Sequence, residues 1–146
     1  MTMIEYREND NLSFEEYYDF LKRSDLGGQY PKERFEERIE RLLISRSIAI
    51  TARNDEGILI GIAFGVTDFA YFLFVTDLGV DRAYAKQGIG SELLVRIREA
   101  VGGENDITVV TVAHETATGF YEKCGYVPEE RLFWKPCKLR SEFKVS

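Results

Sequence analysis

A glycine-containing loop separates two segments of different hydrophobic period, and this change constrains the fold more than any other feature of the sequence. Residues 70–80 are rich in β-branched and aromatic residues, a composition typical of a strand. From Ile89 onward, apolar residues recur at intervals of three and four until Gly102, which predicts a helix. The loop between them contains Gln87-Gly88-Ile89-Gly90-Ser91. The sequence therefore predicts a strand, a loop and a helix N-terminus in direct succession.

Strands and helices are predicted close together along the whole chain. Strand patterns occupy residues 3–7, 47–53, 58–66, 70–80, 107–113 and 132–136. Helical spacing predicts a helix capped by Ser13, one with Pro31 in its first turn, one from Ile89 and a short one that stops at Gly125. With 146 residues, of which 45% are hydrophobic, the chain is expected to form one domain over residues 1–146.

Charge and cysteine usage exclude several classes of function. The net charge is −6 and Lys and Arg do not cluster, so we expect no nucleic-acid partner. The first residues contain no basic region followed by a long apolar run, which favours a cytoplasmic location and no membrane partner. Cys124 and Cys137 lack metal-ligand spacing, so we expect two free thiols and no metal site.

The loop before the predicted helix has the chemistry of an anion site. Free N–H groups at a helix N-terminus attract phosphates, and a side chain at Gly88 or Gly90 would hold phosphate oxygens away from the backbone. A pyrophosphate fits this pattern, although the glycines could simply form a tight turn. A dinucleotide fingerprint is excluded because Leu93 stands where a third glycine is required. A P-loop is excluded because no Gly-Lys-Ser or Gly-Lys-Thr occurs.

Two segments resemble motifs of the GNAT family of N-acetyltransferases. The first is Ala85-Lys86-Gln87-Gly88-Ile89-Gly90, which resembles the family's pyrophosphate loop Arg/Gln-x-x-Gly-x-Gly/Ala. The second is residues 114–126, which resemble Asn-x-x-Ala-x-x-Phe-Tyr-x-x-x-Gly-Phe. The resemblance covers residues 77–126. It implies an α+β fold with a mixed, mostly antiparallel sheet, about four flanking helices and a splayed strand pair that holds acetyl-CoA.

The resemblance also implies an activity and a set of cofactor contacts. The expected reaction is transfer of an acetyl group from acetyl-CoA to a primary amine, by direct attack in a ternary complex. The implied cofactor-binding residues are Leu78, Gly79, Val80, Ala85, Lys86, Gln87, Gly88, Ile89, Gly90, Ser91, His114 and Tyr121. Gly79 suits the bulge with which the family's strand ends. Ala85 replaces the usual Arg or Gln, and His114 replaces the usual Asn, so these two contacts differ from the family pattern.

Tyr121 and Asp77 are the candidate catalytic residues. Tyr121 matches the family's general acid, and a phenol with an ordinary pKa of about 10 is protonated at neutral pH; the alternative is that it only packs on Phe120. Asp77 follows three apolar residues at alternate positions, and a carboxylate on such a face is suited to act as a base. Its alternative is a loop cap. His114 is a weaker candidate base.

The acceptor is expected to be a small-molecule amine. In the family, the loop after the first helix covers the acceptor, and here this loop contains Asp25 and Tyr30. Together with Tyr17, Tyr18 and Tyr71, this loop could form an aromatic pocket with an acidic rim. Residues 77–134 are also somewhat similar to plant chloroplast serotonin-type acetyltransferases. The alternatives are a protein or peptide Nα- or Lys-acetyltransferase and a catalytically silent acyl-CoA-binding module. A homodimer is an alternative to a monomer.

Overall fold

The computed structural model describes residues 3–146, and its strands form one five-stranded sheet. The strands are β1 Glu5–Glu8, β2 Ile48–Arg53, β3 Leu59–Thr67, β4 Phe72–Val80 and β5 Thr108–Thr111. Their order in the sheet follows their order in the chain, from β1 at one edge to β5 at the other. All neighbouring pairs are antiparallel except β4 and β5, which are parallel. The prediction of a mixed, mostly antiparallel sheet is confirmed.

Four α-helices flank this sheet within the described residues. They are α1 Phe14–Lys22, α2 Phe35–Ser45, α3 Ile89–Val101 and α4 Thr118–Lys123. As predicted, α1 begins after Ser13, whose Oγ accepts a hydrogen bond from the Glu16 N–H. The predicted start of α2 at Pro31 is wrong. The chain first makes a turn in which the Phe35 N–H donates to Lys32 O, and Arg34 takes a left-handed conformation, so the helix starts only at Phe35.

The sheet separates two hydrophobic cores. One core lies under α3 and includes Leu73, Val75, Leu93 and Ile97, with Phe120 and Tyr121 of α4 packed against it. The other lies under α1 and α2 and includes Tyr17, Phe20, Leu26, Ile39 and Phe64. None of the helices within residues 3–146 is long and apolar enough to span a membrane.

Strands β4 and β5 pair along only part of their length. Phe72 to Val75 of β4 pair with Thr108 to Thr111 of β5, but β4 continues for five more residues without β5 beside it. The two strands therefore splay apart beyond Val75 and leave an opening between them. This splayed pair is the feature that the sequence resemblance implied.

The segment after α4 does not form the predicted strand. Residues 132–136 have no strand partner, and the side chains of Phe133 and Trp134 are 99% and 66% exposed. An alternating pattern becomes a strand only where a neighbouring strand can pair with it, so the strand prediction for this segment is wrong. The chain then returns to the α1/α2 face, where the Val145 N–H donates to Gly27 O and the Phe143 ring meets the Phe35 ring edge-on at 5.0 Å.

Candidate active site

The N-terminus of α3 is open and uncapped by any side chain. Gly88 is the N-cap residue; it has φ 81°, and a Cβ built on it would meet no atom within 4 Å. Lys86, two residues earlier, also has a left-handed conformation, with φ 64°. The first turn of this thirteen-residue helix therefore has no side-chain cap, and a lysine precedes the N-cap by two residues. These features fit an anionic group such as the pyrophosphate of acetyl-CoA.

The lack of a side chain at Gly90 allows packing against α4. A Cβ at Gly90 would lie 3.2 Å from Cζ of Phe120, so it would point at α4 and not at a bound phosphate. Its neighbour Ser91 is exposed, and Ser91 Oγ lies 3.6 Å from Sγ of Cys124. The absent side chain at Gly90 therefore allows α4 to pack closely against the start of α3. The expectation that it leaves room for phosphate is corrected.

The bulge in β4 lies at Thr76, not at Gly79. Asp77 pairs with Phe64 and Val75 pairs with Gly65, so Thr76 is an extra residue without a partner on β3. The extra residue reverses the side-chain alternation: Val75 faces the α3 core, and Asp77 faces the α1/α2 side. The prediction that Asp77 shares a face with Tyr71, Leu73 and Val75 is therefore wrong.

Gly79 is regularly paired with Ile62, and its lack of a side chain serves packing. A Cβ there would lie 2.4 Å from Cδ1 of Leu26, which belongs to the 3₁₀ turn Asp25–Gly28. Leu26 therefore fits directly onto the backbone of β4. Only a glycine permits this contact.

Main-chain groups of β4 face the opening beyond Val75. The Asp81 N–H donates to Ile60 O of β3. Alternate residues of a strand direct their main-chain N–H and C=O groups to the same side, so Gly79 also directs these groups to β3. Leu78 and Val80 are the residues that alternate with Gly79 and Asp81 along the strand. Their N–H and C=O groups therefore point away from β3, on the side where β5 no longer pairs.

Asp77 is buried in a hydrogen-bonded group of polar side chains. Its Oδ1 accepts a bond of 2.6 Å from the Tyr30 hydroxyl, and its Oδ2 accepts one of 2.7 Å from Thr76 Oγ1. The hydroxyl oxygens of Tyr30 and Tyr17 are also 2.6 Å apart. Burial raises the pKa of Asp77, and the two donors oppose this rise. The carboxyl is thus prepared for proton exchange nearer to neutral pH than an exposed aspartate.

A cavity of about 260 Å³ opens onto Asp77 from the α2 side. Its lining residues are Tyr30, Pro31, Phe35, Arg38, Ile39, Leu42, Thr76 and Asp77. Of the three predicted acceptor residues, only Tyr30 lies here. Asp25 is exposed and pairs with Arg82 at 3.2 Å, and Tyr71 is 70% exposed, six residues before Asp77 along the chain. We call this cavity the acceptor pocket.

Tyr121 lies on the other side of the sheet opening, beside β5. It is half-buried, its ring meets the Tyr126 ring edge-on at 5.6 Å, and it lines a second cavity of about 820 Å³ together with Thr111 and Ala113. Burial raises the pKa of Tyr121, and the neighbouring Thr111 hydroxyl opposes this rise. Tyr121 is therefore protonated at neutral pH.

His114 lies at the exposed turn between β5 and α4. Its Nδ1 is 3.0 Å from Thr116 Oγ1 and accepts a long bond of 3.4 Å from the Thr116 N–H, so it caps the turn Glu115–Ala117. His114 is exposed. The structure does not bring His114 into contact with Asp77 or Tyr30.

The sequence reasoning missed two members of the Asp77 group. Tyr17 was considered only as part of an aromatic pocket, yet it is fully buried and bonded to Tyr30. Thr76 carried no signal, because threonine is an ordinary strand residue and nothing in its neighbours marks a bulge. Tyr17 occupies a position of α1 that faces the core, and a hydroxyl there needs a hydrogen-bond partner. This requirement is the one sequence signal for a role of Tyr17 in the group.

Comparison with known families agrees with this geometry. A family model described as an acetyltransferase (GNAT) domain matches residues 45–128, which include the splayed strands, the α3 loop and α4. The chain belongs to the GNAT acetyltransferase family. It is an acetyl-CoA-dependent N-acetyltransferase, and the uncapped start of α3 fits this cofactor.

The GNAT chain is similar to proteins from several organisms. It is 24% identical over 137 residues to an uncharacterized N-acetyltransferase, ycf52, of Gracilaria tenuistipitata var. liui, which covers 88% of this chain and 75% of that relative. The GNAT family protein SP0256 from Streptococcus pneumoniae TIGR4 has a TM-score of 0.67 and 22% identity, over 92% of this chain and 98% of that chain. The aminoglycoside N-acetyltransferase AAC(6')-Iy, solved with CoA, has a TM-score of 0.69 and 15% identity, over 94% and 97%. These structures share its fold.

Proposed function

We propose that this acetyltransferase acetylates the primary amine of a small molecule, by direct attack in a ternary complex. The observation that carries this proposal is the acceptor pocket, which is small, mostly apolar and includes the Asp77 carboxylate in its lining. Small-molecule sites are commonly apolar clefts with a few polar groups that orient the ligand. A protein acceptor would need an open groove that admits a main chain.

Asp77 acts in this proposal as the general base. An amine must lose a proton before or during attack on a thioester, and a carboxylate can accept it directly or through one water. Burial raises the pKa of Asp77, which suits that task near neutral pH. Tyr30 and Thr76 hold the two carboxylate oxygens by hydrogen bonds, so the group has a fixed orientation.

The splayed strands supply the groups for the acetyl end of the reaction. Acetyl-CoA, when bound, supplies the activated acetyl thioester. The N–H groups of Leu78 and Val80 face the opening and can donate to an oxygen that gains negative charge. Tyr121 donates its phenolic proton to the departing sulfur, since it is protonated at neutral pH. The open start of α3 at Gly88 and the Lys86 side chain hold the pyrophosphate.

Specific observations disfavour two alternatives, a protein or peptide acetyltransferase and a silent acyl-CoA-binding module. A protein or peptide acetyltransferase is disfavoured by the pocket's volume of about 260 Å³. A silent acyl-CoA-binding module is disfavoured because Asp77 is buried and its pKa is raised, a costly arrangement without a chemical use. A neighbouring fold, AAC(6')-Iy, has been solved with a bisubstrate analogue of CoA and acetylneamine, an example of a small acceptor on this fold.

The test is release of free CoA thiol from acetyl-CoA by the purified protein, over a panel of small primary amines and lysine-containing peptides. We expect turnover with one or more small amines and background release with the peptides. Peptide acetylation with no small-amine turnover would support the first alternative. Cofactor binding in a melting experiment with no turnover on any acceptor would support the silent module.

We also propose that two copies associate through the β5 edge. Strand β5 is the last strand of the sheet, and Leu132, which lines one cavity with β5, is exposed together with Phe133 and Trp134. Light scattering after size exclusion should give a dimer, and Phe133→Ser with Trp134→Ser should give a monomer.

A further inference from the structure

We propose that the acceptor carries a carboxylate as well as its amine, with an apolar stem between the two groups, and that Arg38 binds the carboxylate. This inference rests on the proposed small-amine acetylation and names the substrate class. The pocket provides one negative and one positive group at separate walls. Asp77 belongs to β4, whereas Arg38 belongs to α2.

The α2 wall of the acceptor pocket is a single helical stripe. Phe35, Arg38, Ile39 and Leu42 follow each other at intervals of three, one and three residues, so they lie on one side of the helix. Three of these side chains are apolar. Arg38 is the one cation among the eight lining residues of this pocket. The stripe thus offers an apolar surface for a stem and one charged position for an end group.

Arg38 is not engaged in an ion pair within the described residues. Its neighbours on α2 are engaged: Arg34 and Arg41 both pair with Glu37, at 3.9 and 3.5 Å. Arg38 contributes to lowering the pKa of Glu33, after the larger effect of Ser141, but the Glu33 carboxylate accepts the Ser141 N–H at 2.8 Å and lies outside the pocket lining. The Arg38 guanidinium is therefore available for an anion, and its planar donors match a carboxylate.

The size of the pocket limits the ligand. A volume of about 260 Å³ equals the share of roughly nine waters in the liquid, at about 30 Å³ each, so the part of the ligand inside the pocket has on the order of ten heavy atoms. Within that size, a diamine is disfavoured because its second ammonium would lie near Arg38. A linear ω-amino acid satisfies both charges and the apolar wall.

The experiment compares matched acceptors on the full chain. Linear ω-amino acids of increasing length are each assayed beside their carboxamides, which keep the shape and the amine but lack the charge. We expect kcat/KM for the best acid to exceed that of its amide by about tenfold or more, a difference that about 1.4 kcal/mol produces. Arg38→Gln should reduce the acid-to-amide ratio to near one. Arg41→Gln, on the exposed side of the same helix, is the control and should keep the ratio of the parent.

The outcomes separate this inference from the proposed function. Equal turnover of acids and amides by the parent, or an unchanged ratio in Arg38→Gln, would overturn the role of Arg38 while small-amine acetylation stands. Turnover of other amines but of no ω-amino acid would also reject the substrate class alone. Absence of turnover with every small amine would reject the proposed function itself.

Discussion

The Tyr30 hydroxyl donates a hydrogen bond of 2.6 Å to Oδ1 of Asp77, a residue 47 positions later in the chain. This bond stabilises the ionised carboxylate and so lowers the pKa of Asp77, against the larger upward effect of burial. Tyr30 belongs to the segment between the first two helices, and Asp77 belongs to the central sheet. The protonation of the proposed base therefore depends on how that segment packs against β4.

Asp77→Asn should leave an acid limb of the pH–rate profile that follows deprotonation of the amine alone and no longer that of residue 77. In the parent, kcat/KM should fall as the pH decreases through the raised pKa of Asp77, because the protonated carboxyl cannot accept a proton. The Asn variant should be about 10²- to 10⁴-fold slower near neutral pH and should recover as the amine deprotonates. A loss of the same size at every pH would instead assign Asp77 a structural role.

The same substitution has a separate signature in stability. Burial raises the pKa of Asp77 in the folded state above the ordinary value of 3.8. The carboxyl therefore contributes stability below that value, and this contribution is lost as the pH rises through the folded-state pKa. Asparagine does not titrate. Urea unfolding should show the free energy of unfolding of the parent decreasing relative to Asp77→Asn across that window.

Tyr30→Phe should move the acid limb of kcat/KM to higher pH. The substitution removes the donor that lowers the pKa of Asp77 and keeps the ring that packs on Phe35. Loss of a hydrogen bond to a charged group should also destabilise the fold by about 1.5–3 kcal/mol where Asp77 is ionised. Tyr17→Phe is the control, because it leaves the Tyr30 to Asp77 bond in place and should shift the limb less. An unshifted limb in Tyr30→Phe would mean that another group titrates.

Tyr121→Phe should reduce turnover by about 10²- to 10⁴-fold with little change in acetyl-CoA affinity or melting temperature. The change removes one oxygen from a half-buried ring whose packing on Phe120 is retained. Tyr126→Phe removes a hydroxyl from the adjacent ring and should keep most of the activity. If both variants turn over at the parent rate with a good amine, the proton comes from water or another residue.

Ser91→Glu should weaken acetyl-CoA binding by about tenfold or more without lowering the stability of the free protein. The new carboxylate would lie in the first turn of α3. There its interaction with the helix dipole would stabilise the helix by about 0.3–1 kcal/mol, but its charge would repel a pyrophosphate. Ser91→Ala is the uncharged control. Isothermal titration with acetyl-CoA measures the effect. Equal affinity in the Glu and Ala variants would place the pyrophosphate elsewhere.

Gly79→Ala should destabilise the fold by about 1–3 kcal/mol, because its Cβ would lie 2.4 Å from Cδ1 of Leu26. Leu26→Ala alone should also destabilise, since Leu26 is 2% exposed. The double variant should be less destabilised than the two single effects added together, because Leu26→Ala removes the atoms with which the new Cβ at position 79 would clash. Additive effects in urea unfolding would show that the strand moves to avoid Leu26.

Local chemistry explains which parts of the site could be predicted from the sequence. The Ser13 cap, the glycine loop and the end of α3 depend on residues close together in the chain, so their patterns were sufficient. The Asp77 group could not be predicted, because Tyr17 and Tyr30 reach it only through tertiary packing. No residue near Thr76 predicts the bulge. Simple alternation without the bulge places the Asp77 side chain on the wrong side of the sheet.

In the half of β4 that follows the bulge, main-chain groups and side chains face different sites. Leu78 and Val80 direct backbone groups to the splayed opening, whereas the Asp77 side chain faces the acceptor pocket. Backbone groups are the same whatever the residue, so the sequence on the acceptor side can change without changing the groups offered to the thioester. A strand built in this way lets acceptor specificity diverge during evolution while the acyl donor stays the same.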